Sequence, residues 1–414
     1  MRDSYKLSVC IPNYNRIERL EKLIRKISSQ IKRLKLENVV EICISDDCSQ
    51  VKPDRVIEAV QADFSDMKIV YRKNEHNMGM DYNFYYSVMM AQGEYAWIIG
   101  NDDIPTDNAF TTFFGIVNDD AYRDVDFIVT PFDCFDYHNN FKSTNYPFGN
   151  NIKKQLFFDT NDRKQLNRLI MSVERNGALF DFLSNVIFKR EHWIRQKNQF
   201  NNKMHTLFIQ MYMNMQTLLG GAKYLYTPEK IINDYIDNAT NETLERTYKI
   251  VIGLYDVFSY FWTGEERRHL EKKVLDIFIQ SSLFEMDETD EKKIKLCSCD
   301  EEKINMLKKY YIKKKDREQY FNLQKVIIYG AGNNGLLALE ELGKYKVDVL
   351  GFCDTDVKKQ GNLVQGKRIF TYEIVKDLHV QNSNLIVVVA SHLCGTEIVQ
   401  RLKNDSIFNI AVIT

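Results

Sequence analysis

Short apolar runs alternate with amphipathic ones along the first hundred residues, and this alternation predicts a β-α-β-α-β-α-β succession. KLSVCIP, VVEICISDD, KIVYRKN and YAWIIGNDD read as strands; ERLEKLIRKISSQI, DRVIEAVQADF and DYNFYYSVMMAQ carry apolar residues at helical spacing. That rhythm belongs to a parallel, doubly wound α/β sheet. DVDFIVTPFD reads as one further strand, and SNVIFKREHW and AKYLYTPEKII as strands around a helix from Met204 to Leu219. From about Asn241 to Phe321 apolar residues recur three and four apart without a strand signal, predicting a helical linker. A strand and a glycine turn return in KVIIYGAGNNGLLALEELGKYKVDVLGFCDTD, followed by the runs IFTYEIV and NLIVVVASH. The expected domains are 1–240, a large α/β unit; 241–321, the helical linker; and 322–414, a smaller α/β unit.

The net charge of -1 over 414 residues lacks the basic excess of a dominant nucleic-acid binder. Eight cysteines are scattered, and the spacing of Cys297 and Cys299 does not suit a zinc knuckle, so reduced thiols are expected. No run reaches the roughly 18 apolar residues of a membrane span. A cytoplasmic protein is therefore expected, with peripheral contact at the inner face of the plasma membrane left open. The stretch from Lys292 to Phe321 mixes lysines with tyrosines and aliphatics. Either it is a solvated helix face or it touches anionic lipid or an acceptor phosphate.

Chemistry concentrates where the strands stop. Asp46 and Asp47 close one apolar run and Asp102 and Asp103 another, so both pairs are expected at the carboxyl ends of neighbouring parallel strands, where open α/β sheets bind ligands. Four carboxylates in one mouth repel each other unless a divalent cation and several donors share the space, an arrangement suited to a diphosphate. In the first strand-to-helix loop Pro12 is expected to stop the ladder, Asn13 and Asn15 suit a turn, Tyr14 is placed to stack on a base, and Arg16 to reach a phosphate. Near the other end Gly330, Gly332, Asn333, Asn334 and Gly335 follow a strand and open a helix, and Asp354 ends the next strand. This is the dinucleotide fingerprint in its expected context.

SVCIPNYNR, ISDDCS, NMGMDYN and GNDD, in this order and spacing, resemble family 2 glycosyltransferases of the GT-A fold over roughly residues 5 to 235. With SNVIFKREHW included, the segment is most similar to bacterial surface-polysaccharide transferases of the abequosyltransferase-like kind. The resemblance implies that Asp46 or Asp47 accepts hydrogen bonds from the base and ribose of a nucleoside diphosphate sugar, with a UDP-sugar the expected donor. It implies that Asn77 and Gly79 form the turn passing close to the donor, with Asn83 facing the same cleft. Asn101, Asp102 and Asp103 occupy the place of the family's Asp-x-Asp motif, which implies Mg2+ or Mn2+ on Asp103, with Asp102 as second choice. Asn101 departs from that pattern. The C-terminal unit resembles the Rossmann-like units of sugar acyltransferases, which leaves open a bound nucleotide or a packing role.

Family 2 members invert the anomeric centre, and many take their base from a Glu-Asp pair; here that place reads FNNKMHTLF. His205 is the titratable residue there, and an imidazole is a workable base at neutral pH. Asp181, in an apolar setting, is its rival. The implied activity is metal-assisted transfer of a sugar to a growing capsule, lipopolysaccharide or related glycan, free or lipid-linked. Two alternatives stand beside it: an NAD-dependent sugar oxidoreductase or epimerase working from the C-terminal loop, and a non-catalytic scaffold of glycan assembly. A homo-oligomer built through the helical region is a further open expectation.

Overall fold

The computed structural model describes residues 5–136, 138–174, 177–236, 244–271, 309–313, 316–390 and 395–413. Backbone contacts divide the chain into two compact units, Met1–Leu275 and Asp276–Thr414. In the first, the succession is β1 (Leu7–Asn13), α1 (Ile17–Leu34), β2 (Val40–Asp46), α2 (Asp54–Asp63), β3 (Ile69–Lys73), α3 (Met80–Met89), β4 (Tyr95–Ile98), β5 (Ile104–Pro105) and α4 (Ala109–Val117). It continues through β6 (Phe127–Val129), β7 (Phe132–Asp136), β8 (Phe141–Asn145), β9 (Leu156–Asp159), α5 (Arg163–Met171), β10 (Val186–Lys189), α6 (Glu191–Arg195), α7 (Ile209–Leu219), β11 (Lys223–Tyr226), β12 (Ile232–Ile236), α8 (Leu244–Phe261) and α9 (Gly264–Leu270).

The main sheet has the order β3-β2-β1-β4-β10-β6-β11-β9. Its first four strands are parallel, and β10 runs antiparallel to both β4 and β6, making the sheet mixed. The α1 stripe Leu20, Leu23, Ile24, Ile27 and Ile31 packs on Val9, Ile11, Ile42 and Ile44, all out of water. Burial of such apolar side chains is worth about 1.5–3 kcal/mol each, which makes the strand ends a rigid platform.

Three sequence expectations need correction. The strands bearing the two acidic pairs, β2 and β4, are not neighbours; β1 stands between them. Pro12 does not end its strand, since β1 stays in register with β2 through Asn13 and Asp46. Its missing N–H instead ends the ladder toward β4, whose last bond there is Ile99 N to Cys10 O, whereas Asp47 N still reaches Asn13 O. DVDFIVTPFD is not one strand: it breaks at Thr130-Pro131, and β7 leaves for a second sheet of order β5-β12-β7-β8. That switch brings β12 beneath the acidic turn after β4.

The second unit contains α10 (Arg317–Phe321), β13 (Lys325–Tyr329), α11 (Asn333–Leu342), β14 (Asp348–Cys353), β15 (Leu363–Val364), β16 (Lys367–Phe370), α12 (Tyr372–Gln381), β17 (Ile386–Val389), α13 (Gly395–Asn404) and β18 (Ile410–Val412). Its sheet, β15-β16-β14-β13-β17-β18, is parallel apart from the β15–β16 pair. Val326 and Ile328 enter one core while Ile327 and Tyr329 enter the other, so both faces are covered. Residues 272–308 lie outside the described residues, as do Cys297, Cys299 and most of the lysine-tyrosine stretch. Among the described residues no helix is long and apolar enough to cross a membrane.

Candidate functional site

The carboxyl ends of β1, β2 and β4 carry one hydrogen-bonded line of side chains. Asn13 Nδ2 donates to Asp46 Oδ1 at 2.7 Å, and Asn101 Nδ2 donates to Asn13 Oδ1 at 2.9 Å. Arg16 extends the line, donating to Asn101 Oδ1 at 3.5 Å and pairing with Asp102 Oδ2, which Arg19 also approaches at 3.5 Å. The amide of Asn101 thus links the two acidic pairs, a task a carboxylate there would not perform, because it has no N–H to give Asn13.

Asp46 and Asp47 are both buried, and their oxygens are engaged. Ser49 donates to Asp46 through Oγ at 2.5 Å and through its backbone N–H at 3.0 Å. Asp47 accepts from Asn74 Nδ2 at 2.9 Å, from Met78 N at 2.8 Å and from Gly79 N at 2.8 Å. Asn77 Oδ1 accepts from the same Gly79 N–H at 2.9 Å. Asp47 therefore shapes the turn at 77–79, which enters α3 with Gly79 at φ 90 and ψ 167, a region open to glycine alone. Asn83 Nδ2 supports the end of β1, donating to Asn13 O at 3.1 Å. In the first loop Asn15 N donates to Ser49 Oγ at 2.8 Å, and Tyr14 stands 43% exposed at the rim.

Asp103 turns inward. Its Oδ2 accepts from Ser184 Oγ at 2.5 Å, and its carboxyl faces Asp234 of β12. Burial first, then the nearby Asp234 and Asp102 carboxylates, hold the Asp103 pKa well above the usual range. Burial likewise pushes Asp234 up to about 6. A Cβ on Gly100 would stand 3.0 Å from Asp103 Oδ2 and 3.2 Å from Asp102 Oδ1, so the two carboxylates flank one glycine. Among the described residues no group of three or more metal-type side chains forms a ready cage. The donor set is nevertheless hard oxygen with crowded negative charge, which fits Mg2+ or Mn2+ when phosphate oxygens supply the remaining ligands.

His205 lies against the turn that opens α3. The Cβ position on Gly79 is 3.4 Å from its Nδ1, and Tyr82 meets the imidazole edge to face at 5.5 Å. Asp81, in the first turn of α3, fixes this loop by accepting from Leu207 N at 2.8 Å and Ile209 N at 3.2 Å. His205 and Leu207 hold φ of 75 and 71, strain that such clamping sustains. Asp181 occupies another loop, where it accepts from Gly177 N at 2.5 Å; burial pushes it up to about 6.

Asp234, Ser184, Asp81 and Arg19 were not singled out from the sequence. Asp234 carried one signal, an acid inside the strand run IINDYI; Asp81 looked like an ordinary acid in a first helical turn.

In the second unit, Gly335 permits α11 to approach β13, since a Cβ there would meet Gly330 O at 1.9 Å. Nothing lies within 4 Å of a Cβ on Gly332. Asp354 is already engaged: Oδ2 accepts from Ala331 N at 2.9 Å and from Lys359 Nζ at 3.1 Å, and Oδ1 accepts from Asp356 N at 2.9 Å. Asn334 is half-buried in the first turn of α11, the helix that begins at Asn333.

Residues 8–212 match the model of glycosyl transferase family 2, and residues 322–413 match a family described as C2185-like, N-terminal. Abequosyltransferase RfbV of Salmonella typhimurium is 32% identical over 196 residues, covering 45% of this chain and 54% of that protein. An uncharacterized glycosyltransferase of Mycoplasma genitalium, MG060, is 30% identical over 109 residues, covering 26% of this chain and 36% of that one. The chain thus spans about half or less of the length of these curated relatives. A crystal structure of S. aureus TarS 1-349 with UDP-GlcNAc aligns at a TM-score of 0.49 and 12% identity, over 70% of this chain and 79% of that one.

Proposed function

From the premise that the chain belongs to glycosyl transferase family 2 through residues 8–212, we propose that it transfers a sugar from a nucleoside diphosphate donor to a surface-polysaccharide acceptor. The observation that carries this reading is the continuous line Asp46–Asn13–Asn101–Arg16–Asp102, which makes one polar cleft of three strand ends. Asp46 and Asp47, whose oxygens are engaged within the fold, shape the end suited to base and ribose by holding Ser49 and the turn at 77–79. Arg16 and Arg19 sit at the other end, where a diphosphate has two guanidinium groups in reach. Gly79 carries no side chain, which lets the turn held on Asp47 pack closely against the His205 imidazole at this edge of the site.

In this reading His205 takes the proton of the acceptor hydroxyl. The acceptor oxygen bonds to the anomeric carbon from the face opposite the diphosphate, whose C–O bond breaks as the diphosphate leaves with the electron pair, inverting the centre. A bound Mg2+ or Mn2+, held by Asp103 and Asp102, would supply charge stabilisation to the leaving diphosphate. Asp181 is bonded within its own loop, and this favours His205, which faces Gly79, as the base.

The oxidoreductase alternative depends on Asp354 receiving ribose hydroxyls. Its oxygens are taken by Ala331, Lys359 and Asp356, so the second unit serves better as an accessory to transfer. The test is release of nucleoside diphosphate from a panel of nucleotide sugars by the full chain with Mn2+. Release from at least one donor, abolished by Asp103→Asn, supports the proposal; no release from any donor, or NAD reduction by a sugar instead, refutes it.

A further inference from the structure

Beside the cleft, on the outer side of α3, a hollow of about 370 Å³ opens between α3 and the turns after α6. Its wall includes Arg72, Tyr82, Tyr85, Tyr86, Lys197 and Asn201. The three tyrosines recur at helical spacing and therefore share one face of α3. Tyr82 stacks toward Tyr86 with centroids 6.0 Å apart at 29°, and Tyr85 meets Tyr86 edge-on at 5.8 Å. The Arg72 guanidinium lies 5.0 Å over the Tyr86 ring. No Asp or Glu is among the lining residues, and neither Arg72 nor Lys197 forms an ion pair with any described carboxylate.

The tyrosine row has a direction. At its Tyr82 end it touches His205, at 5.5 Å, and at its Tyr86 end it meets the cation. Tyr82 and Tyr86 are half-buried and Tyr85 is buried behind them, and half-buried rings of this kind suit the apolar face of a pyranose. An unpaired guanidinium and ammonium suit a carboxylate or phosphate.

We propose that this hollow binds an anionic saccharide portion of the acceptor, stacked on the tyrosines with its charge on Arg72 and Lys197. The inference rests on the glycosyltransferase reading and gives the acceptor a chemical class. Bound this way, the glycan runs along α3 and presents its growing end beside His205.

The test is saturation-transfer NMR with the full chain and three probes: tetragalacturonate, N-acetylglucosamine 1-phosphate and neutral maltotetraose. One or both anionic probes are expected to bind, at least fivefold tighter than maltotetraose, and to lose at least fivefold in Tyr86→Ala and Arg72→Ala. Which anionic probe binds separates a ring carboxylate from a sugar phosphate as the recognised group. Equal binding of the neutral probe, no binding of either anion, or unchanged binding in both variants overturns the inference. Nucleotide-sugar binding is measured on the same samples: donor uptake without anionic-saccharide binding rejects only the hollow, whereas absence of donor uptake rejects the parent reading.

Discussion

Asn101 donates to Asn13 across 2.9 Å, and through that contact the acidic turn after β4 is tied to Asp46 at the end of β2. The family's Asp-x-Asp pattern has a carboxylate where this chain has Asn101. Asn101→Asp is expected to weaken rather than improve the site, because a carboxylate facing Asn13 Oδ1 has no proton to give. The loss is about 1–3 kcal/mol of stability, read by urea denaturation. A gain in stability would show that the relay does not matter.

Gly79 stands at φ 90 and ψ 167, with His205 Nδ1 3.4 Å from the point where a side chain would begin. Gly79→Ala is expected to cost about 1–3 kcal/mol from backbone strain alone and to lower donor affinity by moving the two N–H groups held on Asp47. Thermal unfolding and donor titration check it; unchanged values in both would rule out the turn as described.

The assignment of the base separates two variants. His205→Ala is expected to reduce the transfer rate by roughly 10²–10⁴ while leaving donor affinity within about twofold, and Asp181→Asn to retain most of the rate. Asp81→Asn, which loosens the backbone at 207–209, is expected to lower the rate and shift its pH profile as a positioning residue. Full activity in His205→Ala removes the histidine from the role.

Asp181 and Asp234 are each pushed up to about 6 by burial, above their unfolded values near 4. Between those values the folded chain holds more protons than the unfolded chain, so their contribution favours folding below about pH 4 and is lost as pH rises to 6. Asp181→Asn is therefore expected to flatten the fall in stability from pH 4 to 6, by on the order of 1–3 kcal/mol. An unchanged slope would mean that the Asp181 carboxyl is not desolvated.

Much of the front unit was legible because its signals are local. The strand runs of β1 to β4 and the intervening helices follow hydrophobic period, and Asp46, Asp47, Asp102 and Asp103 declare themselves by sitting at run ends. What lay beyond reach was pairing between distant segments. Nothing in VVEICISDD or YAWIIGNDD tells which strand separates them, and no period marks the exit of β7 to a second sheet after Pro131. Asp234 becomes part of the site only through that exit, and Asp81 only through the backbone of residues 207–209. Asp354 shows the converse: its position fits the fingerprint, but only the folded loop reveals that Ala331 and Lys359 already occupy its oxygens.

The central claim is that Asp46, Asn13, Asn101, Arg16 and the Asp102–Asp103 turn form one donor cleft. Isothermal titration calorimetry of the full chain with UDP-linked and other nucleotide sugars, with and without Mn2+, tests it most directly. The expected result is uptake of at least one nucleotide sugar, strengthened by Mn2+ and weakened at least tenfold in Asp46→Asn. Absence of nucleotide-sugar binding under either condition, or binding indifferent to Asp46→Asn, would contradict it.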